Sequence, residues 1–274
     1  MSKFEEADIP FARPRGIELL GRLYRPAKSI GHGIVMVHGG AWTANDRLTP
    51  HVMSRLLATR GLVVFSLDFR CGPHFQHPSA SADIAAGIRY FRHHADEFGV
   101  NADKIGLIGS SSGGHLVLFT ALQPNTQIHQ TTPALDCEEE SIDASVAYVV
   151  ALWPVSNPLV RLEYALESGR HELVRAHQGY FGSREEMHRA SVQRVLRTRV
   201  FTHLPSTLVV QPGEDANVPQ YMTNDLLTAF RSVGHEIEYL HMPGLPHAFA
   251  YEASEATDQC EAAVWDFIQP QIED

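Results

Sequence analysis

The sequence runs to 274 residues, with 44% hydrophobic and 20% charged side chains, a balance that fits one large α/β core and excludes disordered or fibrous chains. Its formal net charge of −10 leaves no basic stripe for displacing counterions from phosphates, which argues against a nucleic-acid partner. Cys71, Cys137 and Cys260 are odd in number and widely spaced, so neither a disulfide framework nor a zinc site is read from them.

The first eight residues are acidic and lack the apolar centre of a signal peptide, and no later run reaches membrane-spanning length. The expectation is a cytoplasmic protein without membrane insertion, for which a homodimer is left open. No internal repeat is found. In chain order, short apolar runs bounded by Gly and Pro alternate with helical periodicity. Strands are expected at Ile17–Tyr24 and Gly33–Val37, then a helix near Pro50–Thr59, a strand at Val63–Asp68 and a helix near Ala80–Phe98. A strand at Ile105–Ile108, a helix over Gly113–Leu122 and a strand at Ser145–Leu152 follow. The series closes with strand Thr207–Gln211, helix Pro219–Val233, strand Glu236–His241 and helix Thr257–Gln269. This alternation predicts an α/β fold over residues 1–274, a doubly wound, mostly parallel sheet in one domain.

Two intervals break the rhythm. Residues 123–143 are polar and contain Glu138-Glu139-Glu140, which reads as a long solvated loop. Residues 153–204 have helical pattern without a strand, too long for one crossover, and are read as a small helical lid over the strand ends where such sheets place ligands.

Directly after the strand Ile105–Ile108 comes Gly109-Ser110-Ser111-Ser112-Gly113, leading into a helix. This is G-x-S-x-G in strand-turn-helix context, where glycines permit a turn too sharp for side chains and the central hydroxyl is lifted above the sheet. Ser111 alone has glycine at both two-residue offsets, so it is the expected nucleophile ahead of Ser110 and Ser112. The helix N-terminus adds N–H donors where negative charge would develop. Further donors are expected from Ser112 N–H and from the glycine turn His38-Gly39-Gly40-Ala41-Trp42, with Gly40 and Ala41 as candidates for an oxyanion hole.

Asp215 lies on the loop after Thr207–Gln211, and His247 on the loop after Glu236–His241. An imidazole in hydrogen-bond reach of the serine can take its proton, and a carboxylate behind it fixes the tautomer. Glu214 is the neighbouring competitor for the acid. His74-x-x-His77 and His93-His94 lack nearby acids at ligand spacing, so no metal is expected. Asp68 and Arg70 read as a structural ion pair at a strand end.

Across nearly the whole chain these segments resemble the α/β-hydrolase esterases, in the branch shared by hormone-sensitive-lipase-like and acetyl-xylan or feruloyl esterase-like proteins. The resemblance is carried by His38-Gly39-Gly40-Ala41-Trp42, Asp68-Phe69-Arg70, Ala95-Asp96-Glu97-Phe98-Gly99, the Ser111 elbow, Leu204-Pro205, Gly213 to Pro219, and Pro243-Gly244-Leu245-Pro246-His247-Ala248-Phe249. It implies a Ser111, Asp215, His247 triad, no cofactor, and hydrolysis of small or medium acyl esters. Ala41 stands where many hormone-sensitive-lipase-like enzymes have a third glycine, Cys71-Gly72-Pro73-His74 replaces the usual Leu-Ala-Pro-Glu, and there is no room for that branch's N-terminal cap helices.

The leading expectation is a serine carboxylesterase acting on a small-molecule ester. An amide hydrolase, such as an arylformamidase or a peptidase, would use the same triad, and a non-catalytic binding protein on the same scaffold is the third reading. Trp42 and Trp153 flank the elbow in sequence order and are expected to line the substrate pocket, closing it to long acyl chains.

Overall fold

A computed structural model of the chain describes residues 4–137 and 142–273. The acidic run Glu138-Glu139-Glu140 of the polar loop lies outside the described residues. The remainder of that loop includes a turn of 3-10 helix at Gln127–Gln130 and a bridge from Ala134 back to Ala12.

Among the described residues eight strands form one sheet. They are β1 (Phe4–Ala12), β2 (Leu19–Pro26), β3 (Gly33–Val37), β4 (Val63–Leu67), β5 (Ile105–Ser110), β6 (Tyr148–Leu152), β7 (Ser206–Glu214) and β8 (Glu238–Pro246). Their spatial order is β1-β2-β4-β3-β5-β6-β7-β8. β1, β2 and β4 pair antiparallel, and every pair from β4 to β8 is parallel. The helices are α1 (His51–Thr59), α2 (Ser79–His93), α3 (Ala95–Phe98), α4 (Ser112–Leu122), α5 (Pro158–Glu167), α6 (His171–Phe181), α7 (Arg184–Arg189), α8 (Val192–Arg197), α9 (Gln220–Ser232) and α10 (Glu255–Glu273).

Strand side chains alternate between two apolar layers, as the period of a strand requires. Val35 and Val37 join the layer built with α2, α4, α8 and α9, whereas Ile34 and Met36 join the layer built with α1 and α10. Both faces of the central strands are therefore covered, which is why they read as continuous apolar runs.

The sequence gives no strand at β1. It pairs antiparallel with β2, with a register shift between Pro10 and Ala12, and two of its acids face cations: Asp8 bonds Arg22 and Arg47, and Glu6 bonds Arg22 and Arg55. The helix expected over Ala80–Phe98 breaks at His94, whose φ of −94° and ψ of 17° leave the helical region, so α2 and α3 are separate. Asp68 and Arg70 do not pair with each other. Asp68 accepts from Arg47 at 3.0 Å, and Arg70 meets Asp83 of α2 at 2.7 Å. Each finds a partner brought in by a different neighbouring segment. The interval between β6 and β7 is helical, made of α5 to α8.

Candidate active site

β5 ends at Ser110, α4 begins at Ser112, and Ser111 is the hinge between them at φ 55° and ψ −118°. The glycines around it answer to close backbone approach. A Cβ on Gly113 would stand 2.3 Å from the His38 carbonyl oxygen, and one on Gly109 would stand 2.5 Å from that of Gly113. The hinge is pinned on both sides: Ser111 N–H donates to Leu152 O at 2.9 Å, and Ser111 O accepts from His115 and Val155 N–H. Ser111 is 7% exposed.

β7 and β8 are parallel neighbours, so the loops leaving their C-terminal ends lie side by side. These loops bring Asp215 and His247 together and both to Ser111. His247 Nδ1 is 2.8 Å from Asp215 Oδ2, and His247 Nε2 is 2.9 Å from Ser111 Oγ. A carboxylate can only accept, so Nδ1 carries the proton and Nε2 is left as an acceptor for the serine hydroxyl. Asp215 Oδ1 accepts from the N–H groups of Asn217 and Val218, each at 2.8 Å, which fixes the carboxylate in place. Glu214 is exposed at the end of β7 and makes no such bonds.

The glycine turn after β3 passes beside the elbow. Gly40, Ala41 and Trp42 all have positive φ, at 117°, 51° and 61°. A Cβ on Gly40 would lie 2.2 Å from Ala44 O, so glycine is required there. Ser112 Oγ accepts from Trp42 N–H at 3.2 Å and ties this turn to the elbow. Among the described residues no protein acceptor takes the N–H of Gly40 or Ala41, and Ser112, at the first position of α4, has no preceding helical turn to donate to. These are the donors expected from the sequence. Tyr251, which the sequence reading passed over, joins the same parts: its hydroxyl shares a hydrogen bond with Ser110 Oγ at 2.8 Å and accepts from Gly39 N–H at 3.2 Å. Burial raises its pKa, so it remains a neutral phenol.

The cavity at this site measures about 240 Å³ and is bounded by Gly40, Ala41, Ser111, Arg161, Leu173 and His247, among others. Neither tryptophan is part of that wall. Trp42 is 0% exposed, stacks on Tyr180 and donates Nε1–H to His115 Nδ1 at 3.2 Å. Trp153 is also 0% exposed and lies behind the histidine loop, with its ring centroid 6.2 Å from that of His247 and 5.1 Å from that of Phe249. Both indoles belong to the packing beneath the site, where aromatic bulk removes more surface from water than a pocket wall allows. Arg161 and Leu173, from α5 and α6, occupy the wall instead.

The imidazoles of His38, His77 and His115 are buried, and burial holds each well below its ordinary value of 6.5, at about 4, about 3 and about 4. His38 stacks on Phe69 at 4.2 Å. Among the described residues no group of three or more His, Cys, Asp or Glu side chains is arranged to hold a metal ion.

The BD-FAE family model matches residues 23–230, a span from β2 to α9 that takes in Ser111 and Asp215 and ends before His247. This chain belongs to the BD-FAE family. Esterase LipC of Mycobacterium tuberculosis is 28% identical over 226 residues, covering 79% of this BD-FAE chain and 52% of LipC. An arylesterase of Saccharolobus solfataricus is 39% identical over 107 residues, covering 38% of this chain and 35% of that protein. The chain thus spans about half or less of the length of these two relatives. Among solved structures, a hyperthermophilic esterase from Pyrobaculum calidifontis superposes with a TM-score of 0.77 at 21% identity, covering 97% of this chain and 83% of that one. The Thermogutta terrifontis esterase Est2 with propionate bound gives 0.77 at 23% identity, covering 97% and 94%. These likenesses show that the BD-FAE chain has the α/β-hydrolase fold.

Proposed function

We propose that this chain is a serine carboxylesterase acting on short to medium acyl esters. The observation that carries the reading is the continuous relay Asp215–His247–Ser111, with both links at hydrogen-bond distance. The names of the relatives, which are esterases, agree with it.

Ser111 Oγ attacks the ester carbonyl while His247 Nε2 takes its proton. The carbonyl oxygen becomes an oxyanion facing the N–H groups of Gly40, Ala41 and Ser112, which cost no reorganisation because the turn and the elbow already hold them. His247 returns the proton to the departing alcohol, leaving an acyl-serine. Water, activated by the same imidazole, then attacks the acyl-serine and releases the acid. Every step uses groups of the chain itself, so no cofactor is needed.

The odd number and wide spacing of Cys71, Cys137 and Cys260 support a reducing compartment, the cytoplasm. No helix among the described residues is long and apolar enough to cross a membrane.

The test is a fluorophosphonate probe together with a panel of p-nitrophenyl esters and matched aryl amides. The expected result is labelling of Ser111 alone, turnover of esters, and loss of both in Ser111→Ala. Labelling that survives Ser111→Ala would sink the assignment, and faster turnover of the amides would move the reading to an amide hydrolase.

A further inference from the structure

The charge around the cavity runs against that of the whole molecule. The chain carries a net −10, yet no carboxylate is among the cavity's lining residues, and Arg161 is. An adjoining groove of about 650 Å³ shares Leu173 and Asn217 with the cavity and adds Arg170, Arg175 and His171 against one acid, Glu172.

Arg161 is 2% exposed. Its Nε donates to Asn217 O at 3.1 Å, but its Nη1 is buried and has no hydrogen-bond partner among the described residues. The charge of Asp215 favours the Arg161 cation, although the Asp215 oxygens are already committed to His247, Asn217 and Val218. Burial pushes the Arg161 pKa down to about 10, so it stays cationic near neutrality. A buried cation with an unmet donor is costly to the fold, and such groups mark sites where a ligand can complete them.

We propose that Arg161 is a specificity residue that binds a free carboxylate on the substrate, so that the preferred substrates are esters whose acyl or alcohol part is itself an acid. The inference rests on the reading of Ser111 as nucleophile, because it places the anion in the cavity that Ser111 shares. A planar guanidinium on the cavity wall, with one donor unmet within the protein, suits a carboxylate oxygen. Arg170 and Arg175 at the groove draw the anion toward the cavity from a surface that otherwise repels it.

The experiment compares monoethyl succinate with diethyl succinate, which share the scissile bond and differ in one negative charge. In the wild type the monoester should have the higher kcat/KM by about tenfold or more, the usual scale for a charge-assisted hydrogen bond. That preference should collapse toward one in Arg161→Gln and survive in part in Arg161→Lys. Succinate should inhibit turnover of a neutral ester competitively, and butyrate should do so much more weakly. Equal or better use of the diester by the wild type would overturn the proposal even if Arg161→Gln did not fold. So would a preference unchanged in Arg161→Gln, or inhibition by inorganic phosphate without inhibition by succinate. Fluorophosphonate labelling of Ser111 and turnover of the diester report on the hydrolase reading separately, so either idea can fail alone.

Discussion

Ser111 holds a backbone conformation that L-residues seldom adopt, and three main-chain hydrogen bonds over-determine it. Such strain persists only where the surroundings impose it, and here it turns the hydroxyl toward His247. The geometry of the acid separates Asp215 from Glu214 in the same way. Asp215 is anchored by two N–H groups and touches the imidazole, whereas Glu214 points to solvent one residue earlier. Asp215→Asn should therefore lower kcat/KM by about three to four orders of magnitude, because an amide can hold the imidazole in the wrong tautomer and cannot offset the imidazolium charge. Glu214→Gln should change it little. Steady-state kinetics on one p-nitrophenyl ester decide between them, and the opposite ranking would move the acid's role to Glu214.

The elements that position the site were legible because each ends in residues with narrow physical uses: the glycines of the elbow, the glycine turn after β3, and the loops after β7 and β8. β1 is hard to read from sequence because Glu5, Glu6 and Asp8 look like a solvated terminus, and the partners of Glu6 and Asp8, Arg22, Arg47 and Arg55, are distant in sequence. The α5–α8 interval could be recognised as helical, but helical periodicity says which face is apolar and not what that face meets. Hence sequence alone puts Trp42 at the pocket, while the structure packs it against Tyr180 and Phe181 of α6 and exposes Leu173 of the same helix to the cavity. The consequence for acyl length follows from the wall that is present. Each buried methylene contributes about 0.8 kcal/mol until the cavity is full, and about 240 Å³ bounded by Leu173 fills early. Over a series of p-nitrophenyl esters, kcat/KM should peak at about two to six acyl carbons, where filling ends the gain from each methylene. Leu173→Ala, by opening the cavity toward the groove, should move the peak to longer chains. Trp42→Ala should instead cost about 3–5 kcal/mol of stability as a core cavity, without that shift. A wild-type optimum on long-chain emulsified lipid would show that the insertion does not close the site.

At the scale of the whole molecule, the apolar layers around the sheet enclose histidines as well as hydrocarbon. Burial lowers His38, His115 and His129 to about 4, and His77 and His177 to about 3, against an ordinary value of 6.5. Above 6.5 these rings are neutral in both the folded and the unfolded chain, and they make no pH-dependent contribution. Below it the unfolded chain takes up protons that the native state refuses, so stability falls with pH until each folded value is reached and then levels off. Asp68 and Asp83 act in the opposite sense, because burial raises them and the native state holds their protons more readily than the unfolded chain does. Those two carboxylates oppose the trend, and the five histidines outnumber them, so the net expectation below 6.5 is a loss of stability as pH falls. Urea unfolding should give a midpoint that is flat above pH 7 and drops steeply between pH 6 and pH 4, with a slope corresponding to several protons taken up on unfolding. His77 lies among Phe119, Tyr180 and Phe181, so His77→Phe should keep an apolar ring in place and remove one proton from that slope. A midpoint independent of pH across this interval would mean that the buried rings are not held neutral by the fold.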